Sequence, residues 1–196
     1  MRITVFGAAG AVGREVVAEA VRRGHVVTAL GRAAADARDA GAVAELSVGQ
    51  DIVVTATRPA PGQEHELVTT VRAQLTALAG TGVRLFVVGG AATLRTPNGA
   101  TVLDEPDFPA ELRPIAAACA EQLAVCAANT TVDWTYLSPP ALLEPGPRTG
   151  RYRTGTDNLL VSDDGRSWIS TADLAVAVLD EAQARNYPRA RFTVGY

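Results

Sequence analysis

The sequence contains no lysine: all 18 of its basic residues are arginine. That absence removes several mechanisms at once. A Schiff-base lysine, a lysine on a nucleotide phosphate and a Tyr-x-x-x-Lys proton-transfer pair are all excluded. Cysteine is also scarce, with Cys119 and Cys126 seven positions apart in "RPIAAACAEQLAVCAA". On a helix they share a face about 10 Å apart, too far for a disulfide. Small core residues are their expected role. His25 and His65 are distant in sequence and suggest no metal cluster. Apolar runs are short and broken by Gly or Pro, so no membrane span is expected. Net charge is −3 and the arginines are scattered, so nothing points to nucleic acid. The chain opens on strand-like "RITVF" without a cationic leader, and a cytoplasmic protein is the expectation.

What is present is ample apolar material: 47% of the 196 residues are hydrophobic, enough for the core of one domain spanning 1–196. "RITVFG" reads as a strand buried on both faces. "AVGREVVAEAVRRG" reads as a helix with Val12, Val16, Val17, Ala20 and Val21 in one stripe, ended by Gly24. Strands follow at "HVVTALGR", "DIVVTAT", "VRLFVVGG" and "VDWTYLSPP", with helices at "ELVTTVRAQLTALAG" and around 113–128. Such alternation predicts an α/β fold, a doubly wound parallel sheet with helices on both faces. Further on, "TGRYRTG" and "GRSWIS" read as short antiparallel pieces around the turn "DDG". A helix from Thr171 to about Ala184 follows, capped by Ser170 or Thr171. "RFTVGY" is the last strand.

Gly7, Gly10 and Gly13 form G-x-x-G-x-x-G between the first strand and the first helix. In a doubly wound sheet a crevice opens there. Glycine permits the sharp turn, and the helix start offers unpaired N–H groups suited to a diphosphate. A purely structural turn is the competing reading. At the end of the second strand, "LGR" places Arg32 where an acidic residue would read the ribose of NAD(H). NADP(H) is therefore favoured over NAD(H), unless Arg32 is simply solvated beside Asp36 and Asp39. Only residues 32–51 separate the second strand from "DIVVTAT", whereas a strand–helix–strand unit takes roughly 30 residues. The usual third strand, at the sheet edge, is expected to be missing or vestigial. One helix, "DAGAVAEL", fits.

The segments "GAAGAVG", "VVTALGR", "VVGGAATL", "DWTYLSPPALLEPGPRTGRYR" and "ISTADLAVAVLDEA…RFTVGY" together resemble the atypical short-chain dehydrogenase/reductase group of NAD(P)-binding proteins. Within it, the chain is similar to the set provisionally described as NADH-flavin reductases. It is also similar in outline to biliverdin reductase B and more distantly to NmrA-like proteins. The resemblance covers nearly the whole chain and departs at 32–51. It implies a Rossmann-like sheet with a cofactor across the C-terminal strand ends. The diphosphate would meet Gly7, Ala9, Gly10, Ala11, Val12 and Gly13, and the 2′-phosphate Arg32. Ala56, Thr57, Arg58, Gly89, Gly90 and Pro139 would face the remainder of the cofactor. Ala91, Pro140, Leu142 and Leu143 would meet substrate, with residues 139–170 as a small cover.

Without a lysine-activated tyrosine, the acceptor must need little acid catalysis. Flavins, quinones and linear tetrapyrroles take hydride into a conjugated system. The expected function is an NAD(P)H-dependent reductase of such a small molecule. Ser138, Thr93 and His65 are the candidate assisting groups. Arg58 is a candidate anion-holding residue, and Arg148, Arg151 and Arg153 are candidates to meet an acidic tail. Two alternatives stay open: a cofactor sensor without turnover, and a tailoring enzyme that has lost redox chemistry. A homodimer also stays open.

Overall fold

The computed structural model describes residues 1–196. Its frame is a seven-stranded sheet in the order β2-β1-β3-β4-β5-β9-β7. The strands are β1 (Arg2–Phe6), β2 (Val26–Leu30), β3 (Ile52–Thr55), β4 (Arg84–Val88), β5 (Trp134–Ser138), β7 (Arg153–Gly155) and β9 (Ala190–Gly195). All pairings are parallel except that of β7 with β9. As expected for strands covered on both faces, alternate residues feed two cores. Ile3, Val5, Val54, Phe86, Leu137 and Phe192 join α1 (Ala11–Arg22) and α5 (Thr171–Ala184). Phe6, Val53, Leu85, Val87 and Tyr136 join α2 (Ala40–Ser47), α3 (Glu66–Leu78) and α4 (Arg113–Ala128).

The short interval behaves as its length dictates. β2 pairs only with β1 and forms the sheet edge; the usual third strand is missing. In its place is the two-turn α2, whose first N–H groups at Gly41 and Ala42 are capped by Asp39. Ser170 caps α5 by accepting from Asp173 N at 3.0 Å.

The C-terminal third departs from the expected antiparallel pair. β8 (Trp168–Ser170) instead lies parallel to a strand not foreseen, β6 (Leu142–Glu144), in a separate two-stranded sheet. β7 takes the free edge of β9. Burial of Ile169 among α5 side chains draws "WIS" inward and away from "YRT". Two fasteners hold the intervening segment to the body. Arg148 donates to both oxygens of buried Glu19 at 2.7 and 2.8 Å. Thr149 N and Gly150 N each donate to Asp173 Oδ1 at 2.8 Å. Arg148, aided by Arg23 and Arg22, holds the Glu19 carboxyl down at about 2. Arg148 is thus engaged on α1, and Arg153 donates to the Val161 and Tyr196 carbonyls.

Candidate dinucleotide crevice

The C-terminal ends of β1 to β5 surround a cavity of about 620 Å³. Each strand end contributes a stretch of chain. Gly7, Ala9, Gly10, Ala11 and Val12 follow β1, and Arg32 follows β2. Ala56, Thr57 and Arg58 follow β3, Gly89 follows β4 and Pro139 follows β5. These residues, expected separately from sequence, are brought together. Leu143 and Thr171 complete one wall.

The turn after β1 requires its glycines. Gly7 has φ +82°, and a Cβ there would lie 2.4 Å from the Ala56 carbonyl oxygen. A Cβ on Gly13 would lie 2.1 Å from the Gly7 carbonyl oxygen. Gly13 is therefore buried against the turn and does not line the cavity, a packing role that lets α1 abut the loop. Gly10 begins α1 without a side-chain cap, and no protein group accepts from the N–H of Ala11 or Val12, both of which line the cavity. Open donors at the positive end of a helix dipole, beside small side chains, fit a diphosphate.

At the β2 end, Arg32 is accompanied by Asp36, expected beside it from the sequence, and by Arg38 and Glu66, which were not expected there. Arg38 is held by Asp36 through Nε at 2.8 Å and Nη2 at 2.8 Å, and also pairs with Glu66. Arg32 donates to the Arg58 carbonyl at 3.3 Å and lies 3.9 Å from Glu66 Oε2. The spacing in "GRAAADAR" was a usable signal for Arg38. The approach of Glu66 depends on where α3 begins.

Several other expectations fall outside the cavity. Gly90 is displaced from the lining because Cys119 packs on it; a Cβ there would meet Sγ at 2.9 Å. Ala91, Pro140 and Leu142 do not line it either: Ala91 opens a turn after β4, Pro140 is buried, and Leu142 is exposed on the face of β6 opposite Leu143. None of the three candidate assisting groups lines it. Ser138 is fully buried, Thr93 Oγ1 accepts from Arg191 Nη1 at 2.8 Å, and His65 is exposed just before α3. Instead, the cavity runs between α3 and α4, where Leu67, Thr70, Ile115, Cys119 and Gln122 line it. The spacing of Ile115, Cys119 and Gln122 puts them on one helical face, which the sequence could have shown. Cys119 is thus more than a core residue. Burial pushes its thiol up to about 11, so it stays protonated at neutral pH.

These features define a nucleotide-binding α/β protein. Residues 7–183 match the model of the NAD(P)H-binding family, and the chain belongs to that family. The uncharacterized protein YwnB of Bacillus subtilis is 40% identical over 99% of this chain and 98% of its own. A Burkholderia pseudomallei structure, provisionally described as an exported protein, is 37% identical with TM-score 0.93, covering 100% of both chains. A Streptococcus pneumoniae structure, provisionally described as an NADH-flavin reductase, is 30% identical with TM-score 0.93, covering 100% of this chain and 99% of its own. No helix is long and apolar enough to cross a membrane.

Proposed function

We propose that the protein is an NAD(P)H-dependent reductase of a conjugated small molecule, such as a flavin or quinone, and prefers NADP(H). The observation that carries this reading is the open start of α1, where the N–H groups of Ala11 and Val12, without protein acceptors, adjoin a turn with no room for side chains. Those groups would hold a diphosphate, with Gly7, Ala9, Gly10, Ala11 and Val12 as its bed. Arg32 and Arg38 would face a 2′-phosphate. A reduced nicotinamide supplies hydride, a pair of electrons with a proton that needs an acceptor of matched orientation. Val88, Gly89, Pro139 and Leu143 provide small and apolar walls on that side, suited to positioning flat rings and excluding water. Residues 139–170 act as a side wall through Pro139 and Leu143 rather than as a full lid. Ser138, Thr93 and His65, the expected assisting groups, do not line the cavity, which suits acceptors that take their proton from water.

The test combines titration with NADPH and NADH with turnover assays on a panel of flavins and quinones. NADPH oxidation with at least one acceptor supports the proposal. Tight binding without turnover across the panel would replace it with a sensing role. Absence of nucleotide binding would remove the redox reading entirely.

A further inference from the structure

Gln122 has only 1% of its surface exposed, yet it lines the cavity between α3 and α4. Its amide is incompletely satisfied. The Tyr136 hydroxyl has one proton to share between Cys119 O at 3.0 Å and Gln122 Oε1 at 3.2 Å. Gln122 Nε2 reaches Leu67 O only at 3.4 Å. Donor capacity therefore remains, and the cavity is where it can be used. Gln74, one turn beyond Thr70 on the same face of α3, is wholly buried without a partner for either amide atom, but it does not line the cavity, so Gln122 is the amide a ligand there can reach.

Topology says which part of a ligand reaches this place. Arg32 follows β2 at the sheet edge, and the glycine turn follows β1 beside it. A nucleotide with its diphosphate at the turn and its phosphorylated ribose at Arg32 must send its other half over β3 and β4. The helices packed on that side of the sheet are α3 and α4. The first polar group beyond the diphosphate in that direction is a pentose carrying two adjacent hydroxyls. Each hydroxyl can both donate and accept, so either can use the remaining Nε2 hydrogen of Gln122.

We infer that Gln122, oriented by Tyr136, binds a ribose hydroxyl on the nicotinamide half of the nucleotide. Gln122 is then a binding residue and Tyr136 a positioning residue. The inference rests on the nucleotide reading above, and binding alone can test it. The probes are NADPH, nicotinamide mononucleotide, its 2′-deoxy and 3′-deoxy ribose analogues, and adenosine 2′,5′-bisphosphate. Gln122→Leu should weaken NADPH and nicotinamide mononucleotide by about 5- to 10-fold, as for one lost hydrogen bond, and leave the adenosine bisphosphate unchanged. The unaltered protein should lose a similar factor with one of the deoxy analogues, and Gln122→Leu should lose nothing further with that analogue. Tyr136→Phe should weaken NADPH less than Gln122→Leu and add nothing to it in the double variant. Undiminished binding of both deoxy analogues by the unaltered protein would overturn the inference whether or not the variants fold. Equal loss of all probes in Gln122→Leu would overturn it as well, and a raised acceptor KM with unchanged NADPH affinity would reassign Gln122 to the substrate. If the unaltered protein bound neither NADPH nor adenosine bisphosphate, the functional proposal itself would fall.

Discussion

Replacing Glu66 by Gln should strengthen discrimination in favour of NADPH. The crevice at the β2 end carries two guanidinium groups and two carboxylates: Arg32, Arg38, Asp36 and Glu66. A 2′-phosphate entering there meets arginines that already have partners. Arg38 is fastened on two sides, whereas Arg32 is loosely placed, 67% exposed and 3.9 Å from Glu66 Oε2. Two unit charges at about 4 Å interact by about 1 kcal/mol in water, and exposed pairs return about 0–1 kcal/mol. Removing the Glu66 charge should thus tighten NADPH roughly two- to five-fold. The opposite perturbation, Arg32→Ala, removes a charge-assisted hydrogen bond and should weaken NADPH by roughly 5- to 30-fold. NADH lacks the 2′-phosphate and should change by less than about two-fold with either substitution. Calorimetric titrations with both nucleotides at low and high salt provide the assay, and the Glu66 effect should shrink as salt screens it. An unchanged or reduced NADPH-to-NADH ratio in Glu66→Gln, or equal losses of both nucleotides in Arg32→Ala, would refute the reasoning.

Three further outcomes follow from the packing. Gly13→Ala places a methyl against the immovable Gly7 carbonyl oxygen, 2.1 Å from the ideal Cβ, and should destabilise the fold by about 1–3 kcal/mol; an unchanged melting temperature would contradict this. Arg84 and Glu181 form a buried pair at 2.6 Å, with side chains 4% and 3% exposed, and Glu181 also accepts from Asn186 N and Tyr187 N. Glu181→Gln should cost about 3–5 kcal/mol in urea unfolding, and a cost below about 1 kcal/mol would show the charge to be dispensable. Glu19, held down at about 2 against an ordinary 4.5, contributes stability that is fully present above pH 4.5 and is lost as pH falls towards 2. In Glu19→Gln that portion of the acid transition should disappear; an identical acid profile in both proteins would rule out this carboxylate.

The parts of the crevice legible in sequence were those made by backbone. The G-x-x-G-x-x-G spacing, the turn after β3 and the Gly89 strand end each lie within a few residues of a strand, so local patterning located them. Missing the usual third strand was legible too, because chain length alone forbids it between 32 and 51. Most expected residues that fall outside the cavity are side chains whose direction depends on distant neighbours, while Gly13 and Gly90 are packed against other parts of the chain. Thr93 is taken up by Arg191, 98 residues away, and Arg148 by Glu19, 129 residues away. Leu142 lies outside the cavity because strand β6, paired with β8, turns Leu143 inward and leaves Leu142 on the opposite, exposed face.

By itself the sequence determined the alternation of strands and helices, the anion-ready start of α1 and the exclusion of lysine chemistry. Local periodicity, glycine conformation and composition are enough for those. Only the tertiary structure decided that Glu66 would face Arg38 and that the cavity would continue between α3 and α4 beside Gln122. Those outcomes depend on how two helices, separated by a strand in the chain, settle against the same face of the sheet. No spacing in the sequence records that distance.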